Sequence, residues 1–66
     1  MEITVNAEQM QVEQGTTIAK LIETLEMNPK YLAVEVNKKL VTRKKHAEFE
    51  LNQSDVVEIV TLVGGG

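Results

Sequence analysis

The sequence predicts an α+β domain, a mixed sheet of four to five strands packed on one helix. Apolar residues alternate with polar ones in several short runs, and a single segment switches to helical spacing. The length, 66 residues, leaves room for one hydrophobic core only, because a chain of about 60 residues buries only about 60% of its unfolded surface.

Ile3 and Val5 alternate with Glu2, Thr4 and Asn6 as in a half-buried strand, and Met10 and Val12 repeat the pattern. Asn6-Ala7-Glu8-Gln9 between them is a short polar connection whose Asn tolerates turn geometry, so the two runs read as a hairpin. Gly15 breaks the second strand. Ile18, Leu21, Ile22 and Leu25 then fall at i, i+3, i+4 and i+7, on one face of a helix, with Ala19, Lys20, Glu23 and Thr24 on the other side. Thr16 or Thr17 is placed to accept an orphan amide at the helix start, and Asn28-Pro29 is expected to end it.

Alternation returns over Tyr31 to Asn37, with Leu32, Val34 and Val36 on one side and Tyr31, Ala33 and Glu35 on the other. Asn37-Lys38-Lys39 turns the chain into a short apolar stretch, Leu40-Val41, followed by a polar segment from Thr42 to Glu50. Ser54-Asp55 marks a further turn. Val56 to Val63, interrupted only by Glu58 and Thr61, is the strongest strand signal and suits a central position. With Glu58 toward water, Val57, Ile59 and Val63 face the helix, while Val60 and Leu62 share the outer face with Glu58.

This order of elements resembles the β-grasp (ubiquitin-like) fold. The resemblance implies that the last strand lies parallel beside the first, that two hairpins flank the pair, and that the helix crosses the inner face.

Composition narrows the function. With 42% hydrophobic and 26% charged residues the chain reads as globular. It has no cysteine, which excludes disulfides, thiolate metal sites and a cysteine nucleophile. A net charge of -3 and only one Phe and one Tyr argue against nucleic-acid binding, which needs a basic face and often stacking rings. No segment approaches the roughly 20 apolar residues of a membrane span, and no signal-peptide pattern opens the chain. A soluble, uncleaved cytoplasmic protein with protein partners is expected.

Few side chains point to chemistry. His46 stands in a polar stretch without a companion triad or metal motif and is expected to be a solvated loop residue. Lys38, Lys39, Arg43, Lys44 and Lys45 crowd five of the seven basic residues into eight positions, which reads as a solvated face. Glu23, Glu26, Glu48 and Glu50 form no recognisable acid-base or metal arrangement, and no phosphate-cradling loop is present. The methionines read as core fillers.

What remains is the end of the chain. A strong strand runs straight into Gly64-Gly65-Gly66, giving a folded domain over 1–63 and a flexible, side-chain-free tail over 64–66 that carries an α-carboxylate. Glycine threads where a Cβ collides. A carboxylate must be activated before a nucleophile attacks it. Transfer to AMP from ATP makes a mixed anhydride with a good leaving group, and a sulfur nucleophile then displaces AMP to leave a thiocarboxylate.

Glu58-Ile59-Val60-Thr61-Leu62-Val63-Gly64-Gly65-Gly66, preceded by Asp55, resembles the end of the ThiS family, the sulfur carriers of thiamin biosynthesis. Val5-Asn6, Gly15-Thr16-Thr17 and Val34-Glu35-Val36-Asn37 extend the resemblance over nearly the whole chain. It implies that Gly66 bears the carboxylate that is adenylated and thiolated, with Gly65 and Gly64 before it. It also implies three partners: an E1-like adenylating enzyme using ATP and Mg²⁺, a sulfur donor fed by a cysteine desulfurase, and thiazole synthase as acceptor. No cofactor is expected on this chain, and it is expected to be a protein co-substrate rather than an enzyme. Val60 and Leu62 are nominated as the docking residues beside the tail, against the alternative of ordinary packing under a loop.

Two other functions fit a β-grasp domain ending in glycines. One is a small subunit of molybdopterin synthase, although Val60-Thr61-Leu62-Val63 lacks the proline-containing approach of that family. The other is a ubiquitin-like modifier or interaction module.

Overall fold

A computed structural model describes residues 1–62 of the chain. Among them, five strands form one sheet: β1 (Glu2–Val5), β2 (Glu8–Gln11), β3 (Leu32–Val36), β4 (Lys39–Val41) and β5 (Val56–Thr61). One helix, α1 (Ile18–Thr24), and two 3-10 turns, Pro29–Tyr31 and Arg43–Lys45, complete the elements. The strand order is β2-β1-β5-β3-β4. β5 runs parallel to β1 and antiparallel to β3, which places the last strand at the centre between two hairpins.

Both hairpins close through two residues at positive φ, Asn6 (49°) with Ala7 (71°) and Asn37 (54°) with Lys38 (71°). These are the left-handed angles of the type I′ turn, whose twist matches that of the strands it joins. Pairing therefore resumes at once, Val5 against Glu8 and Val36 against Lys39. β2 thus begins at Glu8, two residues ahead of the Met10 expected from the alternation, and ends at Gln11.

Thr17 caps α1, its hydroxyl oxygen accepting from the Lys20 amide at 3.2 Å. Gly15 supplies a φ of 87° at the entry. The helix stops at Thr24, with Leu25 as C-cap and Glu26 in the left-handed region at 59°, before the Asn28-Pro29 stop is reached. Asn28-Pro29 instead opens the 3-10 turn, where the Asn28 side chain accepts from the Lys30 amide at 2.9 Å.

The core lies between helix and sheet. Ile18, Leu21 and Ile22 from α1 meet Ile3, Val34, Val57 and Ile59, with Leu51 filling in from the loop before β5. Met1, Met10 and Met27 pack at its margin.

His46 corrects the expectation of a solvated loop residue. It is buried, 5% exposed, and its Nε2 lies 3.0 Å from the Val41 carbonyl oxygen. That oxygen only accepts, so Nε2 carries a proton, and Nδ1 is the one buried side-chain polar atom without a partner among the described residues. The ring is drawn inward because the 3-10 turn docks on the helix: the Ala19 amide donates to the His46 carbonyl at 2.9 Å. The five basic residues Lys38, Lys39, Arg43, Lys44 and Lys45 are exposed, as expected.

Candidate functional site

The site is built on β5. Its side chains divide by parity as the sequence predicts: Val57 and Ile59 are buried under α1, whereas Val56, Glu58, Val60 and Leu62 are exposed on the other face. Val60 is 58% exposed and Leu62 57%, so the two nominated docking residues stand together on the outer face where the described chain ends. Val63 and the tail residues Gly64, Gly65 and Gly66 lie outside the described residues.

The neighbouring strand enlarges this apolar end. Ala33 sits directly across from Val60. Beyond the ladder the Leu62 amide donates to the Tyr31 carbonyl at 2.6 Å, and Tyr31 is 58% exposed. The alternation places Tyr31 and Ala33 on the outer side without giving them a role. Their pairing with the end of the chain's last strand supplies one, as the border of the patch.

Toward the other end of the same face, Glu35 and Glu58 are direct cross-strand partners. Like charges directly opposed are destabilising in a sheet. No ion pair among the described residues relieves them; the single one found joins Lys20 and Glu23.

Side-chain amides hold β5 in place from both flanks. On the β1 side, where the chain turns away at Asn6, the side chain replaces the missing strand. Asn6 Oδ1 accepts from the Ile59 amide at 2.8 Å and Nδ2 donates to the Ile59 carbonyl at 3.2 Å. On the β3 side, Asn37 Oδ1 accepts from the Val56 amide at 3.0 Å, and Nδ2 donates to Asp55 Oδ1 at 3.0 Å. Asp55 is itself buried, and its Oδ2 accepts from the Asn52 amide at 2.8 Å. Asn6 and Asn37 each do two jobs: they take the left-handed angle of a tight turn and clamp the central strand. The turn role is visible in the sequence, but the clamp joins residues far apart in the chain and shows only in the fold.

No group of three or more His, Cys, Asp or Glu side chains among the described residues is placed to hold a metal ion. What the described residues present is a firmly held strand with an apolar outer end.

Fold and site together define a small β-grasp protein of the ubiquitin-like kind. The chain belongs to the ThiS family, whose model matches residues 2–66. The sulfur carrier protein ThiS of Bacillus subtilis (strain 168) is 40% identical over 50 residues, covering 76% of each chain. A crystal structure of the thiamine biosynthesis protein ThiS from Geobacter metallireducens superposes with a TM-score of 0.86 at 26% identity, covering 100% of both chains. A thiazole synthase from Magnetococcus marinus is 38% identical over 66 residues, which is 100% of this chain and 20% of that protein. The chain therefore spans about a fifth of the length of the thiazole synthases that it matches.

Proposed function

We propose that this chain is a sulfur carrier of thiamin biosynthesis in which the Gly66 α-carboxylate is the atom group that is loaded. The observation that carries the reading is the layout of β5: a central strand pinned by Asn6 and Asn37, exposing Val60 and Leu62 immediately before the residues that lead to Gly64-Gly65-Gly66. The match of the ThiS family model through residue 66 supports it.

In the proposed reaction a carboxylate oxygen of Gly66 attacks the α-phosphate of ATP on an E1-like enzyme and pyrophosphate leaves. A hydrosulfide equivalent, delivered by a donor system with a cysteine desulfurase, adds to the acyl adenylate carbonyl and AMP leaves with the bonding pair. The thiocarboxylate sulfur is then passed to the substrate held by thiazole synthase, the acyl C–S bond breaking as water restores the Gly66 carboxylate. ATP and Mg²⁺ belong to the activating enzyme. Thiazole synthase as acceptor is supported by the likeness of this chain to a stretch of proteins that bear that name.

The chain's own residues hold the substrate rather than catalyse. Val60 and Leu62, with Ala33 and Tyr31 beside them, offer an apolar anchor to successive partners, and the absence of a Cβ at residues 64–66 lets an enzyme close around the backbone. Holding the strand rigidly lowers the ordering cost of each docking event.

Intact-mass measurement after incubation with ATP, Mg²⁺, the activating enzyme and a sulfide donor tests the proposal. The expected product is heavier by the difference between one sulfur and one oxygen. An unchanged mass, with the same enzymes shown to load a ThiS protein in parallel, refutes it.

A further inference from the structure

The two edges of the sheet differ in a way that sulfur loading does not use. β4 is three residues long, begins at Lys39 after Lys38, and is followed by Arg43, Lys44 and Lys45. Lysines along a short strand are a common means of keeping an edge from pairing. β2 carries no such protection. Its residues are Glu8, Gln9, Met10 and Gln11, and its far side opens onto a groove of about 460 Å³ between the strand and α1.

The backbone of β2 is half used. Met1 and Val12 exchange both hydrogen bonds, Val12 N–H to Met1 O at 2.8 Å and the Met1 ammonium to Val12 O at 2.6 Å. In an antiparallel ladder such pairs alternate, so Met10 and Glu8 also turn their amide and carbonyl toward β1. Gln9 and Gln11 turn theirs outward, and neither finds a main-chain partner beyond the sheet among the described residues. Four main-chain groups thus point away from the domain with the spacing of a strand.

The groove beside them has a floor of Met10 and Val12, both half-buried, and the buried Leu21. Its surroundings are acidic. Glu8 and Glu13 stand at the two ends of the edge, and the one cation lining the groove, Lys20, is paired with Glu23 at 3.1 Å.

We propose that the β2 edge and the β2–α1 groove bind an extended segment of a partner protein that adds to the sheet as a strand, with apolar side chains at alternate positions and basic residues at its flanks. Partner residues opposite Gln9 and Gln11 exchange main-chain hydrogen bonds with them and point outward. Those opposite Met10 and Val12 turn inward over the groove floor, so apolar side chains two positions apart enter together. The basic flanks complement Glu8 and Glu13. The site lies one strand beyond β1, on the side away from β3, so it is separate from the Val60–Leu62 patch and does not depend on Gly66 chemistry.

The test is a titration of the full-length, ¹⁵N-labelled protein with a synthetic acetylated and amidated peptide, a core of alternating valine and threonine flanked by lysines. The expected result is that the Gln9 and Gln11 amides shift and, at saturation, exchange with deuterium about tenfold more slowly, as newly paired amides do. Methylating the threonine nitrogens, which face the edge when the valines enter the groove, should abolish these changes. Gln9→Pro removes an outward N–H without touching the β1 ladder and should weaken binding several-fold. The double variant Glu8→Lys, Glu13→Lys keeps every backbone group and should weaken it about fivefold at low salt, the sum of two exposed ion pairs. It decides the matter where Gln9→Pro does not fold. Shifts confined to β4 or to Val60 and Leu62, equal binding of the methylated peptide, or no shift at millimolar peptide overturn the proposal.

Discussion

β5 carries similar aliphatic side chains on its two faces, and the two faces do opposite things. Val57 and Ile59 are 0% and 6% exposed and join the helix to the sheet; Val60 and Leu62, as apolar and one and three residues beyond Ile59, are more than half exposed. Burial gives the first pair a clear role in stability. It gives the second pair none, and under the proposed function their use is to be covered by a partner. Composition cannot distinguish these pairs, whereas the period of the strand does.

That contrast is open to direct attack. Ile59→Ala should cost about 2–5 kcal/mol in urea denaturation, as a large-to-small change in a packed core. Leu62→Asp should leave stability within about 0.5 kcal/mol, as for a surface position, while raising the KM of the activating enzyme about fivefold or more. Equal losses of stability from the two substitutions break the division into scaffold and docking faces.

Away from β5, His46→Leu should destabilise by about 1–3 kcal/mol, because the Val41 carbonyl loses its donor in a buried site. A denaturation midpoint unchanged from the parent returns His46 to the status of a solvated loop residue. Asn6→Gly keeps the left-handed turn but removes both hydrogen bonds to Ile59, at about 1–2 kcal/mol. The Ile59 amide should then exchange faster while that of Val34 does not; uniform acceleration denies Asn6 its role as a local clamp. The smallest effect has the opposite sign. Glu58→Gln should stabilise by about 0.2–1 kcal/mol by relieving the repulsion across the sheet from Glu35. A loss of stability indicates that this carboxylate has a partner the register does not reveal.

Much of this layout is legible in the sequence because it rests on period. The alternation at Ile3 and Val5, the helical spacing of Ile18, Leu21, Ile22 and Leu25, and the parity of β5 each predict a face, and each face is found. Element ends are less legible. Glu8 and Gln9 are polar and read as loop, yet an edge strand closed by a two-residue turn needs no apolar residue there. The helix ends at a left-handed Glu26, a conformation that its residue type does not announce.

His46 and the two asparagine clamps share another cause of failure. Each depends on a contact made by the fold: the docking of the second 3-10 turn on α1, and the arrival of β5 between the hairpins. No local pattern encodes such contacts. Of the candidate site, Val60 and Leu62 follow from parity, Gly64 to Gly66 from their sequence alone, Ala33 joins the patch only through the β3–β5 register, and Tyr31 only through the hydrogen bond from the Leu62 amide.

The claim on which these contrasts converge is that the side chains build and present, while one backbone carboxylate reacts. Fragmentation of the loaded protein in a mass spectrometer tests it most directly. The extra mass of sulfur is expected on the fragment containing Gly66 and on no fragment ending before it. The added mass on any fragment from residues 1–62, or loading that survives deletion of Gly65 and Gly66, contradicts it.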